Sequence, residues 1–134
     1  MGERKRRILI VEDEPAIRAM EERILFVSGF ETVCADNGTD GFELARQSPF
    51  DLYLLDIMMP GMNGIELARA LKADEKTKDV PILFATARGE PETITEGFAA
   101  GASLYLVKPF TTATLLTMVR AAMSGAPGDA PIPG

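Results

Sequence analysis

Short apolar runs recur along the chain, and the stretches between them carry apolar residues at three- and four-residue spacing. The runs Ile8–Val11, Thr32–Ala35, Leu52–Leu55, Ile82–Ala85 and Leu104–Val107 are bounded by polar or turn residues, as buried strands are. The spaced stretches predict helices. The first covers about Pro15 to Ser28. Pro15 suits its first turn, Gly29 suits its stop, and Ile17, Met20, Ile24 and Leu25 share one face. The second covers Thr39 to Gln47, with Phe42, Leu44 and Ala45 apolar. The third covers Gly64 to Ala73, with Ile65, Leu67, Ala68 and Leu71 inward. The fourth covers Glu92 to Ala100 and ends at Gly101. The fifth begins near Thr111, an expected N-cap, and carries Leu115, Leu116, Met118, Val119 and Ala122. Five strands alternating with five helices predict an α/β domain with a parallel sheet and right-handed crossovers that put helices on both faces.

In such a sheet, ligands bind beyond the carboxyl ends of the strands. Those ends are polar here. Ile8–Val11 runs into Glu12 and Asp13, and Leu52–Leu55 runs into Asp56. Converging carboxylates repel one another, and a hard divalent cation such as Mg²⁺, which prefers oxygen ligands, relieves the repulsion. The fourth strand ends in Thr86, whose hydroxyl can donate to a ligand oxygen. The fifth ends in Lys108-Pro109, where an ammonium can bind a phosphoryl oxygen as a point charge. A cis bond before Pro109 would aim that lysine inward, and the sequence leaves the isomer open. Each residue alone has an ordinary reading: helix N-terminal acids favoured by the macrodipole, a capping Asp, an exposed turn Thr, a surface ion pair. Together they supply an oxygen nucleophile, a cation site and two phosphoryl-oxygen donors, the parts that phosphoryl transfer onto a carboxylate needs.

Composition narrows the classes. The chain has 134 residues, enough for one domain with a proper core, and its 46% hydrophobic and 25% charged content is that of an ordinary globular protein. A net charge of -6 argues against a broad nucleic-acid footprint. The basic lead-in Arg4-Lys5-Arg6-Arg7 reads as a solvated start, and the apolar run behind it is too short for a signal peptide. No run reaches membrane-span length, so the expected location is the cytoplasm, with no membrane partner. The chain has no histidine, which excludes Ser-His-Asp and Cys-His chemistry and His-ligated zinc. The single cysteine, Cys34, reads as a small buried hydrophobe. Residues 1–124 read as one domain and 125–134, rich in Gly and Pro, as a disordered tail or linker stub.

The residues Val11-Glu12-Asp13-Glu14-Pro15, Asp56-Ile57-Met58-Met59-Pro60-Gly61-Met62-Asn63-Gly64, Thr86-Ala87, and Gly101-Ala102 through Tyr105-Leu106-Val107-Lys108-Pro109-Phe110 carry a resemblance. Over about Arg7 to Met123 the chain resembles a CheY-like receiver domain of two-component response regulators. The resemblance implies a (βα)5 flavodoxin-like fold of strand order 2-1-3-4-5. It implies that Asp56 is the phosphoacceptor and that Thr86 and Lys108 bind phosphoryl oxygens. The metal set it implies is Glu12, Asp13, Asp56 and the Met58 backbone carbonyl, holding Mg²⁺. Glu12 stands where the family often has Asp. Tyr105 takes the aromatic switch role with Thr86. The implied partner is a histidine kinase or histidine phosphotransfer protein that presents phosphohistidine, which suits a chain with no histidine of its own.

On that reading the chain is not an enzyme but a signalling phosphoacceptor that assists its own phosphotransfer and dephosphorylation. Its aspartyl phosphate would change the surface of helix four, strand five and helix five, which the resemblance also allows as a homodimer face. Direct nucleic-acid binding is not expected, and nothing after Ser124 reads as an output module. The downstream target is not legible. Ser103-Leu104 departs from the acidic pair often found before the switch aromatic. Three other readings fit the residues less well. A haloacid-dehalogenase-type phosphatase needs a second Asp at the position of Met58. Flavodoxin-like cofactor binding is opposed by Glu12-Asp13-Glu14 where a phosphate loop would sit. A degenerate receiver that only binds protein is opposed by the presence of Asp56, Thr86 and Lys108. A receiver fragment of a longer regulator remains a live alternative.

Overall fold

The computed structural model describes residues 5–124. Arg4 and the expected tail at 125–134 lie outside the described residues. The elements run β1 (Arg7–Val11), α1 (Pro15–Val27), β2 (Glu31–Ala35), α2 (Gly38–Gln47), β3 (Leu52–Leu55), α3 (Gly64–Ala73), β4 (Ile82–Thr86), α4 (Pro91–Ala99), β5 (Leu104–Val107) and α5 (Thr112–Ser124). All strands pair in parallel in the order β2-β1-β3-β4-β5, as expected. Predicted boundaries differ by a residue or so, because caps lie half inside a helix.

The period-two alternation of strands decides where every side chain goes. Leu9, Val11, Tyr53, Leu55, Ile82 and Phe84 point to the layer that packs with α2 and α3. Ile8, Ile10, Leu52, Leu54, Leu83, Ala85 and Leu106 point to the opposite layer, with Leu25 of α1 and Leu115, Val119 and Ala122 of α5. β1, β3 and β4 are covered on both faces, which is why they read as unbroken apolar runs.

Local chemistry sets the helix starts. Asn37 caps α2, its side chain accepting from the Asp40 N–H at 2.8 Å. Asn63 and Glu66 form a reciprocal capping box at the head of α3, both bonds 2.9 Å. Thr111 caps α5 as expected, its hydroxyl accepting from the Thr114 N–H at 3.1 Å. Gly29 follows α1 at φ 99°, a left-handed conformation that suits a residue without Cβ.

Three expectations need correction. Met20 does not face the core. It is 42% exposed, and Glu21 takes the inward position instead. The predicted stripe followed hydrophobicity, whereas the helix phase that buries Leu25 also buries the residue four earlier. Cys34 is half-buried rather than buried, because β2 is an edge strand. Thr86, which alone read as an exposed turn residue, is fully buried as the last residue of β4.

Gly64 marks where chain meets chain most closely. A Cβ there would lie 2.1 Å from the Asp56 carbonyl oxygen and 2.8 Å from the Ile57 Cα. Neither backbone can yield without shifting the loop that follows Asp56. Gly64→Ala is therefore expected to lower the unfolding free energy by about 3 kcal/mol or more, measured by urea denaturation with the midpoint and slope fitted separately.

Candidate phosphoryl-transfer site

The alternation that fills the core also builds the site. Glu12 continues the Ile8–Ile10 series, Asp56 the Leu52–Leu54 series and Lys108 the Leu104–Leu106 series. All three therefore emerge at the carboxyl edge on the α1/α5 side of the sheet. Thr86 continues Ile82 and Phe84, and Tyr105 lies with them, on the other side. Two layers thus meet at one edge, one carrying charge and one carrying a hydroxyl and an aromatic.

The carboxylates of Glu12, Asp13 and Asp56 can bring oxygens within 4.8 Å of one another. Glu12 and Asp56 are buried and Asp13 is half-buried. The Lys108 ammonium reaches into this group, 2.6 Å from Glu12 Oε1 and 3.5 Å from Asp56 Oδ2. The other Asp56 oxygen accepts from the Ile57 N–H at 2.7 Å, and the other Glu12 oxygen from the Glu14 N–H at 3.1 Å. Arg18 braces the turn from outside, donating to the Glu12 carbonyl at 2.9 Å. The Lys108–Pro109 bond is cis.

The charges are poorly solvated and unequal in number. Burial pushes the Glu12 carboxyl up to about 7, with the Asp56 charge adding to the rise and the Lys108 and Glu14 hydrogen bonds opposing it. Burial pulls the Lys108 amine down, but its hydrogen bond to Glu12 and the charges of Asp56, Glu12 and Glu21 outweigh that, and the net shift is upward. One ammonium thus faces three carboxylates at the edge. This donor set, all oxygen and rich in carboxylate, fits a hard divalent cation.

On the other layer one residue connects the parts. The Arg88 N–H donates to Thr86 Oγ1 at 3.3 Å, and the Arg88 carbonyl accepts from the Tyr105 hydroxyl at 2.5 Å. The Arg88 guanidinium donates to Glu90 Oε1 at 2.8 Å and lies 3.1 Å from the Met58 sulfur. The Tyr105 ring packs against Phe84 and Phe98 at centroid distances of 5.8 and 6.2 Å. It fits because α4 carries Gly97, where a Cβ would lie 3.0 Å from the ring. An open groove of about 720 Å³ runs beside this edge, between the loop after β3 and α4, lined by Met58, Pro60, Asn63, Arg69, Arg88 and Glu96.

The structure thus gathers Glu12, Asp13, Asp56 and Lys108 into one cluster and sets Thr86 and Tyr105 on either side of Arg88. Met58 stands two residues after Asp56 and is 52% exposed. Sequence reasoning missed Glu21, a buried carboxyl on α1, and did not see Arg88 as a connector. An acidic residue at the inward helical spacing before Leu25 was the available signal for the first. For the second there was none, since the bonds that join it to Thr86 and Tyr105 are made by its backbone.

A sequence model of the response regulator receiver domain matches residues 8–120. The phosphate regulon transcriptional regulatory protein PhoB of Pseudomonas aeruginosa is 42% identical over 127 residues, covering 94% of this chain and 56% of that protein. The DNA-binding dual master transcriptional regulator RpaA of Synechocystis is 40% identical, covering 86% of this chain and 48% of that protein. The chain thus spans about half the length of these curated relatives. Among solved structures, the Vibrio cholerae chemotaxis protein CheY4 superposes with a TM-score of 0.85 at 34% identity, covering 89% of this chain and 99% of that one. The receiver domain of a Pseudomonas aeruginosa sensor histidine kinase, solved with a magnesium ion in its active-site cleft, gives 0.85 at 27% identity, covering 91% of this chain and 100% of that one.

Two buried carboxyls bind protons more tightly here than in the unfolded chain: Glu12, raised to about 7, and Glu21, raised to about 8 chiefly by burial. Their stabilising contribution is complete below the ordinary value of 4.5 and is lost as pH rises through about 7 and about 8. In chelator-treated protein the unfolding free energy should therefore fall between about pH 5 and pH 8, and Glu21→Leu should flatten the upper part of that fall. Urea titrations across the window measure it. A profile that rises there would contradict the burial of these two groups.

Proposed function

The chain belongs to the response regulator receiver family, and on that premise we propose that it accepts a phosphoryl group on Asp56. The observation that carries the assignment is the Asp56 carboxylate at the head of β3, inside an acidic cluster and 3.5 Å from an ammonium. Glu12, Asp13 and Asp56, with the Met58 carbonyl, would hold Mg²⁺. When bound there, Mg²⁺ supplies positive charge against the oxygens of the transferring group.

The chain's own residues do the rest. One Asp56 oxygen is fixed by the Ile57 N–H, which leaves the other to attack phosphorus in line. The donor's P–N bond breaks as the Asp56 O–P bond forms, and the donor histidine leaves neutral or picks up a proton from solvent. Lys108 offers its ammonium to a phosphoryl oxygen, and the Thr86 hydroxyl donates to another. Release is a second substitution at phosphorus: water forms the new O–P bond, the Asp56 O–P bond breaks to return the carboxylate, and inorganic phosphate leaves as the water proton passes to solvent, with the same groups assisting. In this sense the domain helps its own phosphorylation and dephosphorylation without being an enzyme for a separate substrate.

Thr86 drawn toward the phosphoryl group leaves the Arg88 N–H, and Arg88 also holds the Tyr105 hydroxyl and, through Glu90, the start of α4. The signal would pass by that route to the surface of α4, β5 and α5. Phe98 and Val107 are exposed there, at 46% and 38%, which supports this face as a target or homodimer surface. The donor would be a histidine kinase or histidine phosphotransfer protein in the cytoplasm. Among the described residues no helix is long and apolar enough to cross a membrane.

Incubation with acetyl phosphate and Mg²⁺ followed by intact-mass measurement tests the assignment. One phosphoryl adduct is expected. It should require Mg²⁺, disappear in Asp56→Asn, and form at least about 100-fold more slowly in Lys108→Ala. An adduct that persists in Asp56→Asn would place the acceptor elsewhere.

A further inference from the structure

Glu21 stands out on α1. It is 1% exposed, and its Oε2 is the one buried side-chain oxygen or nitrogen without a hydrogen-bond partner among the described residues. An orphaned buried carboxylate is among the most unfavourable groups a core can hold. An apolar residue would fit the stripe that continues to Leu25. The position is therefore not explained by packing.

Its surroundings suggest a use. α1 covers the same sheet face from which Glu12, Asp56 and Lys108 emerge. The charged and titratable groups that act on Glu21 are Glu12 at the end of β1, Asp56 at the end of β3 and Lys108 at the end of β5. Cys34 of β2 feels Glu21 as well. Lys108 feels it in turn. Lys108 now places its ammonium against Glu12 and Asp56, inside the cluster a divalent cation would take. A divalent cation would compete with Lys108 for those oxygens, so its arrival loosens the ammonium from them. The Lys108 side chain is only 13% exposed, and the unused acceptor in its own layer is Glu21.

We propose that Glu21 is a positioning residue for phosphotransfer, a buried seat that receives the Lys108 ammonium when a divalent cation takes Glu12 and Asp56. The inference rests on the receiver reading above. In the cation-free chain burial first, and the Glu12 and Asp56 charges second, favour the protonated form of Glu21 against the pull of Lys108. Occupation of Glu12 and Asp56 offsets that charge and frees the ammonium together. The Glu21 proton then passes to solvent, and no covalent bond other than O–H changes. Lys108 is thereby kept in the buried layer beside Asp56 instead of swinging into water, ready for a phosphoryl oxygen.

The test uses Mg²⁺ alone, titrated calorimetrically into the full chain, with wild type, Glu21→Gln, Glu21→Leu and Asp56→Asn compared. The expected dissociation constant rises from wild type to Glu21→Gln to Glu21→Leu, with the last weaker by about 10-fold. The cation-free Glu21→Leu protein should unfold at the same temperature as wild type or higher, because an orphaned polar group has been removed. In wild type the Lys108 side-chain amine resonance should move on Mg²⁺ addition yet stay slow to exchange. In Glu21→Leu it should broaden into solvent exchange. Equal dissociation constants in wild type and both Glu21 variants, with binding still lost in Asp56→Asn, would overturn the role of Glu21 and leave the receiver reading intact. Failure of wild type to bind Mg²⁺ in an Asp56-dependent way would overturn both. Should Glu21→Leu not fold, Glu21→Gln against wild type decides by the same criterion.

Discussion

The ion cluster of Lys108 with Glu12 and Asp56 is the contact on which the rest of this molecule depends. It joins the carboxyl ends of β1, β3 and β5, three strands far apart in sequence, at distances of 2.6 and 3.5 Å. Two carboxylates buried side by side with no cation would be strongly unfavourable, and a buried ammonium alone would be too. Together they are tolerable but unbalanced, because Asp13 adds a third acid within reach. On the proposed reading, that imbalance is what a divalent cation would offset. A site with complete internal compensation would have no affinity for a further cation, and one with none would not fold tightly.

That cluster forms because of the strand alternation below it. Ile10, Leu54 and Leu106 lie beneath Glu12, Asp56 and Lys108 on one face, packed against α1 and α5. A register slip of one residue in any of these strands would send its charged residue to the opposite face. The core thus does more than stabilise. It aims the three polar tips at one another. The loop after Asp56 is held in turn by the close approach of Gly64 and by the Asn63–Glu66 capping box. Beyond the charged layer, Arg88 lies between Thr86 and Tyr105 and bonds to both hydroxyls through its backbone, the contact on which the proposed switch rests.

Most of the architecture was legible in the sequence. Buried parallel strands announce themselves as apolar runs, and the polar residue that ends each run marks the functional edge. The order of the five strands matches what the receiver resemblance implied. The clustering of Glu12, Asp13, Asp56 and Lys108 was legible for the same reason. Burial of single residues was not. Met20 and Glu21 are adjacent, and hydrophobicity pointed to the wrong one, because the phase of α1 is set by its packing on the sheet rather than by its own composition. Thr86 looked like a turn residue, since one position more or less at a strand end cannot be read from propensity. The Arg88 connection uses backbone groups, which carry no sequence signal.

The central claim is that Lys108 is the internal counter-charge of a carboxylate cluster built for a divalent cation. The direct measurement is the unfolding free energy of Lys108→Met in chelator and in saturating Mg²⁺, beside wild type. The account predicts a loss of about 3–5 kcal/mol in chelator, because buried carboxylates lose their partner, and recovery of most of it when Mg²⁺ is added. An unchanged stability in chelator, or a loss that Mg²⁺ leaves untouched, would contradict it.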